Sequence, residues 1–137
     1  MSDKTLQFRL VSPEAELMSE MVTDVSAPGT EGDFGVKPGH MAMVSTLRPG
    51  IVVAKAPHNP NPVRYFISGG FADVNASSCT ILAEQAIDVL QLNAGKVKAE
   101  IDQLVSRLAM PLDEVTAATL RAELGLAQAR LAAANSN

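Results

Sequence analysis

Glu31-Gly32-Asp33-Phe34-Gly35-Val36-Lys37-Pro38-Gly39-His40 is the stretch that decides the fold. Glycine and proline fall at fixed offsets, acids flank the glycines, and a histidine closes the run. One strand-length apolar segment later comes a second corner, Arg48-Pro49-Gly50, and further on Ile67-Ser68-Gly69-Gly70-Phe71. These are instructions to the backbone: glycine permits positive φ, and proline fixes φ near −65°. No nucleophile, metal cluster or phosphate cradle accompanies them. The glycines at 29, 32 and 35 are no dinucleotide fingerprint, because no strand-turn-helix pattern surrounds them.

Outward from this stretch, residues 5 to about 88 read as short strands. Leu6, Phe8 and Leu10 alternate with Gln7 and Arg9, giving one apolar and one polar face. Further runs are Met21–Ala27, Met41–Leu47, Ile51–Ala56, Val63–Ser68, Phe71–Asn75 and Cys79–Ile87. Turn signals at Pro28-Gly29, Pro38-Gly39, Pro49-Gly50, 57–62, Gly69-Gly70 and 75–77 separate them. Near Asn93 the period changes. Val97, Ile101, Leu104, Val105 and Leu108 fall on one helical face, with Asn93 as N-cap. Met110-Pro111 stops this helix, and Pro111 fits the first turn of a second whose main stripe is Leu120, Leu124, Ala127 and Leu131. A second stripe, Val115, Thr119, Ala122 and Leu126, is open to a partner or to the strand-rich part. The expectation is an α+β chain: an N-terminal antiparallel β-sandwich (a flattened barrel) over residues 1–88, then a C-terminal two-helix antiparallel hairpin over 89–137.

The 137 residues are 47% hydrophobic but include no Trp, one Tyr and four Phe, so the core must be aliphatic. Fifteen acids against eleven bases give a net charge of −4, which argues against a nucleic-acid surface and against an anionic membrane. The lone Cys79 sits in an apolar run and reads as a small core residue. The N-terminus is short and polar, without a signal-peptide apolar region, and no run approaches the roughly 20 apolar residues that cross a bilayer. A soluble, cytosolic chain without direct membrane insertion is expected. His40 has no cysteine near it, and the only other histidine, His58, lies in a Pro/Asn tip, too little for zinc. Ser45 and Asp33 stand near His40 in sequence but no catalytic motif frames them. No catalytic residue, cofactor or metal is expected. A small-ligand β-barrel stays open as an alternative; it would need an enclosed apolar cavity.

Taken together, the Glu-Gly-acid-apolar-Gly run ending Pro-Gly-His, the basic-Pro-Gly corner and the Ser-Gly-Gly triplet resemble the epsilon-subunit family of bacterial F-type ATP synthases, called delta in mitochondria. The likeness is dense over 29–50 and 67–74 and thin after about residue 90. It implies a non-catalytic rotor subunit of the F1 central stalk that couples the gamma subunit to the c-ring of Fo in proton-driven ATP synthesis. By the resemblance, Ser12, His40 and Ser45 become gamma contacts, with ordinary turn or strand-edge hydroxyls as the alternative for the serines. Glu31, Gly32 and Asp33 become c-ring contacts, with a solvated turn as theirs. The location implied is the cytoplasmic side of the bacterial inner membrane, peripheral through the complex.

Some family members bind ATP through a pattern in which Asp and Arg stand where this chain has Asn93 and Lys96. Lysine cannot reproduce arginine's two-pronged grip on phosphate, so no tight ATP binding is expected. The family's helices also reach the alpha/beta hexamer through basic side chains. Residues 112–137 offer only Arg121 and Arg130 against Asp113, Glu114 and Glu123. A weak regulatory role is expected.

Overall fold

The computed structural model describes residues 4–136. The chain divides between Asp88 and Val89 into two compact units. In the first, ten strands follow one another: β1 (Leu6–Val11), β2 (Glu16–Val22), β3 (Asp24–Gly29), β4 (Gly32–Val36), β5 (Met43–Leu47), β6 (Gly50–Lys55), β7 (Val63–Ile67), β8 (Gly70–Val74), β9 (Ser78–Ala83) and β10 (Ala86–Asp88). They form one continuous sheet in the order β10-β7-β6-β3-β5-β8-β9-β1-β2, with β4 paired to β3. Every ladder is antiparallel except that of β1 with β9.

The sheet becomes a sandwich at β3. Its first residues, Asp24 to Ser26, pair with β6, and its last, Gly29, pairs with Leu47 of β5. Consecutive strands β5 and β6 therefore share β3 as a neighbour while belonging to opposite halves, and Arg48-Pro49 carries the chain between them. Close approach at this corner requires glycine, since a Cβ on Gly50 would lie 2.8 Å from Pro28 Cβ. Inside, Leu6, Phe8 and Leu10 are buried as their alternation demands, together with Val22, Val25, Val36, Ile67 and Ile81. No polar or charged residue is buried among those described. Burying one such aliphatic or aromatic side chain contributes about 1.5–3 kcal/mol, so the interior is dry, close-packed and stiff.

Four strand readings change. The run Met21–Ala27 is two strands broken at Thr23, and β2 begins at Glu16. Sequence hid β2 because it is an edge strand: Glu20 stands between Met18 and Val22 on the face that carries its only buried residues, and a register shift opposite Leu10 and Val11 leaves Leu17 unpaired. Pro28-Gly29 lies within β3, not in a turn. Residues 32–36, assigned to no strand by the sequence pattern, form β4. The run Cys79–Ile87 is interrupted at Glu84-Gln85, where Glu84 N donates to Gly69 O and Ser68 N to Gln85 O.

The second unit opens with a 3₁₀ turn, Val89–Gln91, followed by α1 (Ala94–Leu108) and α2 (Glu114–Asn135). Asn93 caps α1, its side-chain oxygen accepting from Lys96 N at 3.0 Å. Asp113, not Pro111, starts the second helix: its carboxylate accepts from Thr116 N at 3.0 Å, and Pro111 lies outside. The carboxylate wins because it both satisfies an orphan N–H and meets the positive end of the helix dipole. The Thr116 hydrogen bonds hold the Asp113 carboxyl below its ordinary pKa. α1 and α2 pack as an antiparallel hairpin, with Val97, Leu120 and Ala127 buried. Of the second stripe, Val115, Thr119 and Ala122 are exposed, Val115 at 77%, whereas Leu126 is half-buried beside Leu104 of α1.

Candidate functional site

The opening motif folds into a hairpin and then a turn. Gly29 pairs with Gly32, so Thr30 and Glu31 alone make the connection from β3 to β4. Gly32 has φ +133°, a value that strains any side chain, and a Cβ on Gly29 would sit 2.6 Å from Gly32 O. Both glycines are therefore needed for so tight a tip.

Five contacts tie that tip to β5 and the corner after it. Arg48 donates from Nη1 to Gly29 O at 2.6 Å and from Nη2 to Asp33 Oδ1 at 2.5 Å. Its backbone N donates to Pro28 O at 2.9 Å. Thr30 N donates to Thr46 O at 3.1 Å, and the two threonine hydroxyls are 2.9 Å apart. The sequence reading missed the roles of Arg48 and of the threonine pair. Only the basic-Pro-Gly corner hinted at Arg48, and nothing in sequence joins it to Asp33.

Between residues 29–34 and residues 43–46 runs an open groove of about 440 Å³. It is lined by Glu31 and Asp33 and by no basic residue, with Phe34, Met43 and Val44 as its apolar part. Glu31, Gly32, Asp33 and Ser45 all belong to it, so the structure joins Ser45 to the acidic tip. The two acids differ, however. Asp33 is engaged by Arg48, whereas Glu31 is exposed and faces solvent.

Ser12 and His40 lie elsewhere, at opposite ends of the β5-β8-β9-β1 part of the sheet. Val11 is level with Leu82, placing Ser12 toward the Leu47 and Gly70 end. Ser12 N and Oγ both donate to Ala15 O in the turn before β2. His40 precedes β5 at the other end, where its N donates to Lys37 O and Gly39 N to Ala76 O. Nδ1 of His40 lies 2.7 Å from Met41 O, an acceptor only, so Nδ1 carries the proton. Ser45 Oγ donates to Thr46 O at 3.0 Å.

Other sequence candidates are accounted for by local roles. Asn75 of the Asn-Ala-Ser triplet accepts from the backbone N of Ser77 and of Ser78 at 2.9 Å each, shaping the β8–β9 turn. Cys79 is fully buried, and its thiol is pushed up to about 12 by desolvation and then by the Asp73 charge. Tyr65 is raised by desolvation, then by Asp88 and Glu20. In the second unit Arg130 reaches Glu100 across the hairpin at 3.3 Å, and Arg121 lies 3.9 Å from Glu114. Among the described residues no group of three or more His, Cys, Asp or Glu side chains could hold a metal, and no helix is long and apolar enough to cross a membrane.

Residues 5–89 match the family described as the ATP synthase delta/epsilon chain, beta-sandwich domain. A Rhodospirillum rubrum protein named ATP synthase epsilon chain is 40% identical over 132 residues, covering 95% of this chain and 96% of that one. A Cereibacter sphaeroides protein of the same name is 44% identical over 113 residues, 80% and 83% of the two chains. Among solved structures, a chain in the cryo-EM structure of Euglena gracilis mitochondrial ATP synthase (OSCP, F1 and c-ring) superposes with a TM-score of 0.84. It is 24% identical and is matched over 94% of this chain and 81% of its own. A chain in the central stalk and c-ring of Tetrahymena thermophila mitochondrial ATP synthase gives 0.70 at 16% identity, over 98% and 99%.

Proposed function

The chain belongs to the ATP synthase delta/epsilon family, and on that premise we propose that it is the non-catalytic central-stalk subunit of an F1Fo ATP synthase, coupling gamma to the c-ring. The observation that carries this reading is the near full-length likeness to proteins named ATP synthase epsilon chain. Torque transfer asks for a body that does not deform, and a sandwich with a dry, close-packed interior supplies one. Bond-making belongs to other subunits; Ser12, Ser45 and His40 each bond a backbone carbonyl close by in sequence.

The β3–β4 tip is the c-ring contact, through Glu31, Gly32 and Asp33. The division of labour between its acids follows from Arg48: Asp33 keeps the tip in shape, and Glu31 meets basic loops. An exposed pair of this kind contributes only about 0.2–1 kcal/mol, so it sets register and not tightness. Ser12, His40 and Ser45 are gamma contacts that act from separate places, the first two at opposite ends of one half of the sheet. Arg121 and Arg130 give the hairpin a weak regulatory contact with the alpha/beta hexamer, because Arg130 must leave Glu100 before it can meet another acid. The chain is a peripheral part of the F1 sector on the cytoplasmic face of a bacterial inner membrane.

Reconstitution tests the proposal. With this chain, the purified synthase drives proton pumping from ATP hydrolysis, and the chain co-elutes with gamma on size exclusion. Pumping that is equally well coupled in its absence, or failure to co-elute, overturns the assignment.

A further inference from the structure

The groove beside β5 is bounded on one side by an unfinished ladder. Arg48 N to Pro28 O and Thr30 N to Thr46 O flank the Gly29–Leu47 pair. Thr46 and Arg48 therefore direct their backbone groups away from β8. Antiparallel pairing alternates strictly, so Val44, two residues earlier, points the same way. There β3 has already turned into the hairpin, and the pairing stops at Leu47. The N–H and C=O of Val44 and the N–H of Thr46 open into the groove and meet no opposing strand. Residues 43–46 offer about 13 Å of extended edge, room for about four residues of strand.

We propose that this edge is a docking site for an extended, basic segment of a protein partner, which adds as a short strand to β5. Three features of the groove select that occupant. The open backbone groups require a main chain with free N–H and C=O at alternate residues. The lining carries Glu31 and Asp33 with no basic side chain, and Arg48 already engages one Asp33 oxygen, leaving Glu31 to a cation from outside. Phe34 and Met43 form an apolar wall for one inward side chain of the added strand. Edge strands that take no partner are usually blunted by lysine, proline or a bulge. β5 has none of these between Met43 and Leu47, whereas β2 at the sheet's end carries a bulge. The proposal shares Glu31 with the ring contact above but does not rest on it, because the isolated chain and a synthetic probe test it without any ATP synthase partner.

The probe is a blocked peptide of alternating lysine and valine, titrated into the ¹⁵N-labelled full chain. The expected result is saturable shifts of the Val44 and Thr46 amides, with a Kd on the order of 1 mM. Four companions sharpen it. The same peptide N-methylated at alternate residues binds at least several-fold more weakly, as does an alternating glutamate-valine peptide. The Glu31→Gln chain loses several-fold in affinity. The Val44→Pro chain loses most binding, since the missing N–H is not one that pairs with β8; should that variant not fold, the N-methylated peptide asks the same question of the native chain. Absence of shifts at 10-fold the expected Kd, or equal binding of the methylated and unmethylated peptides, overturns the proposal.

Discussion

Replacing Arg48 by Met removes two charged hydrogen bonds from the β3–β4 tip and leaves the backbone bond to Pro28 O in place. A hydrogen bond from a charged donor contributes about 1.5–3 kcal/mol net when its partner is cut off from water. Here the Arg48 side chain is 44% and the Asp33 side chain 68% exposed, so the ion pair belongs at the weak end, about 0.2–1 kcal/mol. The bond to Gly29 O is the larger part, since Gly29 itself is buried. Together the loss is about 1–2 kcal/mol. The chain has one tyrosine, Tyr65 in β7, and no tryptophan, so its intrinsic fluorescence reports the strand-rich unit alone. At a urea slope of about 2 kcal/mol/M, Arg48→Met lowers the midpoint by roughly 0.5–1 M with the slope unchanged. Asp33→Asn lowers it by less, and the double variant falls no further than Arg48→Met, because the two share one interaction. Glu31→Gln leaves the midpoint where it was. An Arg48→Met midpoint equal to that of the native chain refutes the reasoning, as does a Glu31→Gln loss as large as that of Asp33→Asn.

Gly70→Ala prevents soluble expression or lowers stability by more than about 3 kcal/mol, judged by urea titration, because φ is +153° and the new Cβ would lie 2.2 Å from Leu82 O. Cys79 resists thiol reagents at pH 8 in the folded chain and reacts at the rate of unfolding. Because its folded pKa is raised to about 12 from 9.0, the stability it contributes is full below pH 9 and falls as pH rises toward 12, an alkaline loss that Cys79→Ala removes from a pH series of urea midpoints. The lowered Asp113 carboxyl gives the opposite sign: the stabilisation of α2 is present above the ordinary carboxylate pKa and lost as pH falls through the lowered one, a loss that circular dichroism shows in the native chain and not in Asp113→Asn. Deleting residues 112–137 barely changes ATP hydrolysis by the assembled enzyme; a several-fold rise would show that the helices inhibit strongly.

How much was legible in the chain depended on the range of the force involved. Alternation at Leu6, Phe8 and Leu10, the cap at Asn93 and the tight turns at Gly32 and Gly39 are set by neighbours within a few residues, and these could be read directly. β2 and β4 could not, because an edge strand with a bulge buries too few side chains to show a period, and a strand rich in glycine has few side chains to show one.

What the amino-acid order determined by itself was a strand-rich first part with most of its strands, the two helices, and a tip of acids and glycines that asks for a tight turn. What only the tertiary structure decided was which groups are used up. Asp33 and Arg48 stand fifteen positions apart and Arg130 and Glu100 thirty, so whether each charge is paired depends on how the sheet and the hairpin return on themselves. The open edge of β5 is likewise invisible in the chain: a backbone N–H is the same at every residue, and only the position of the next strand tells which of them has been left without one.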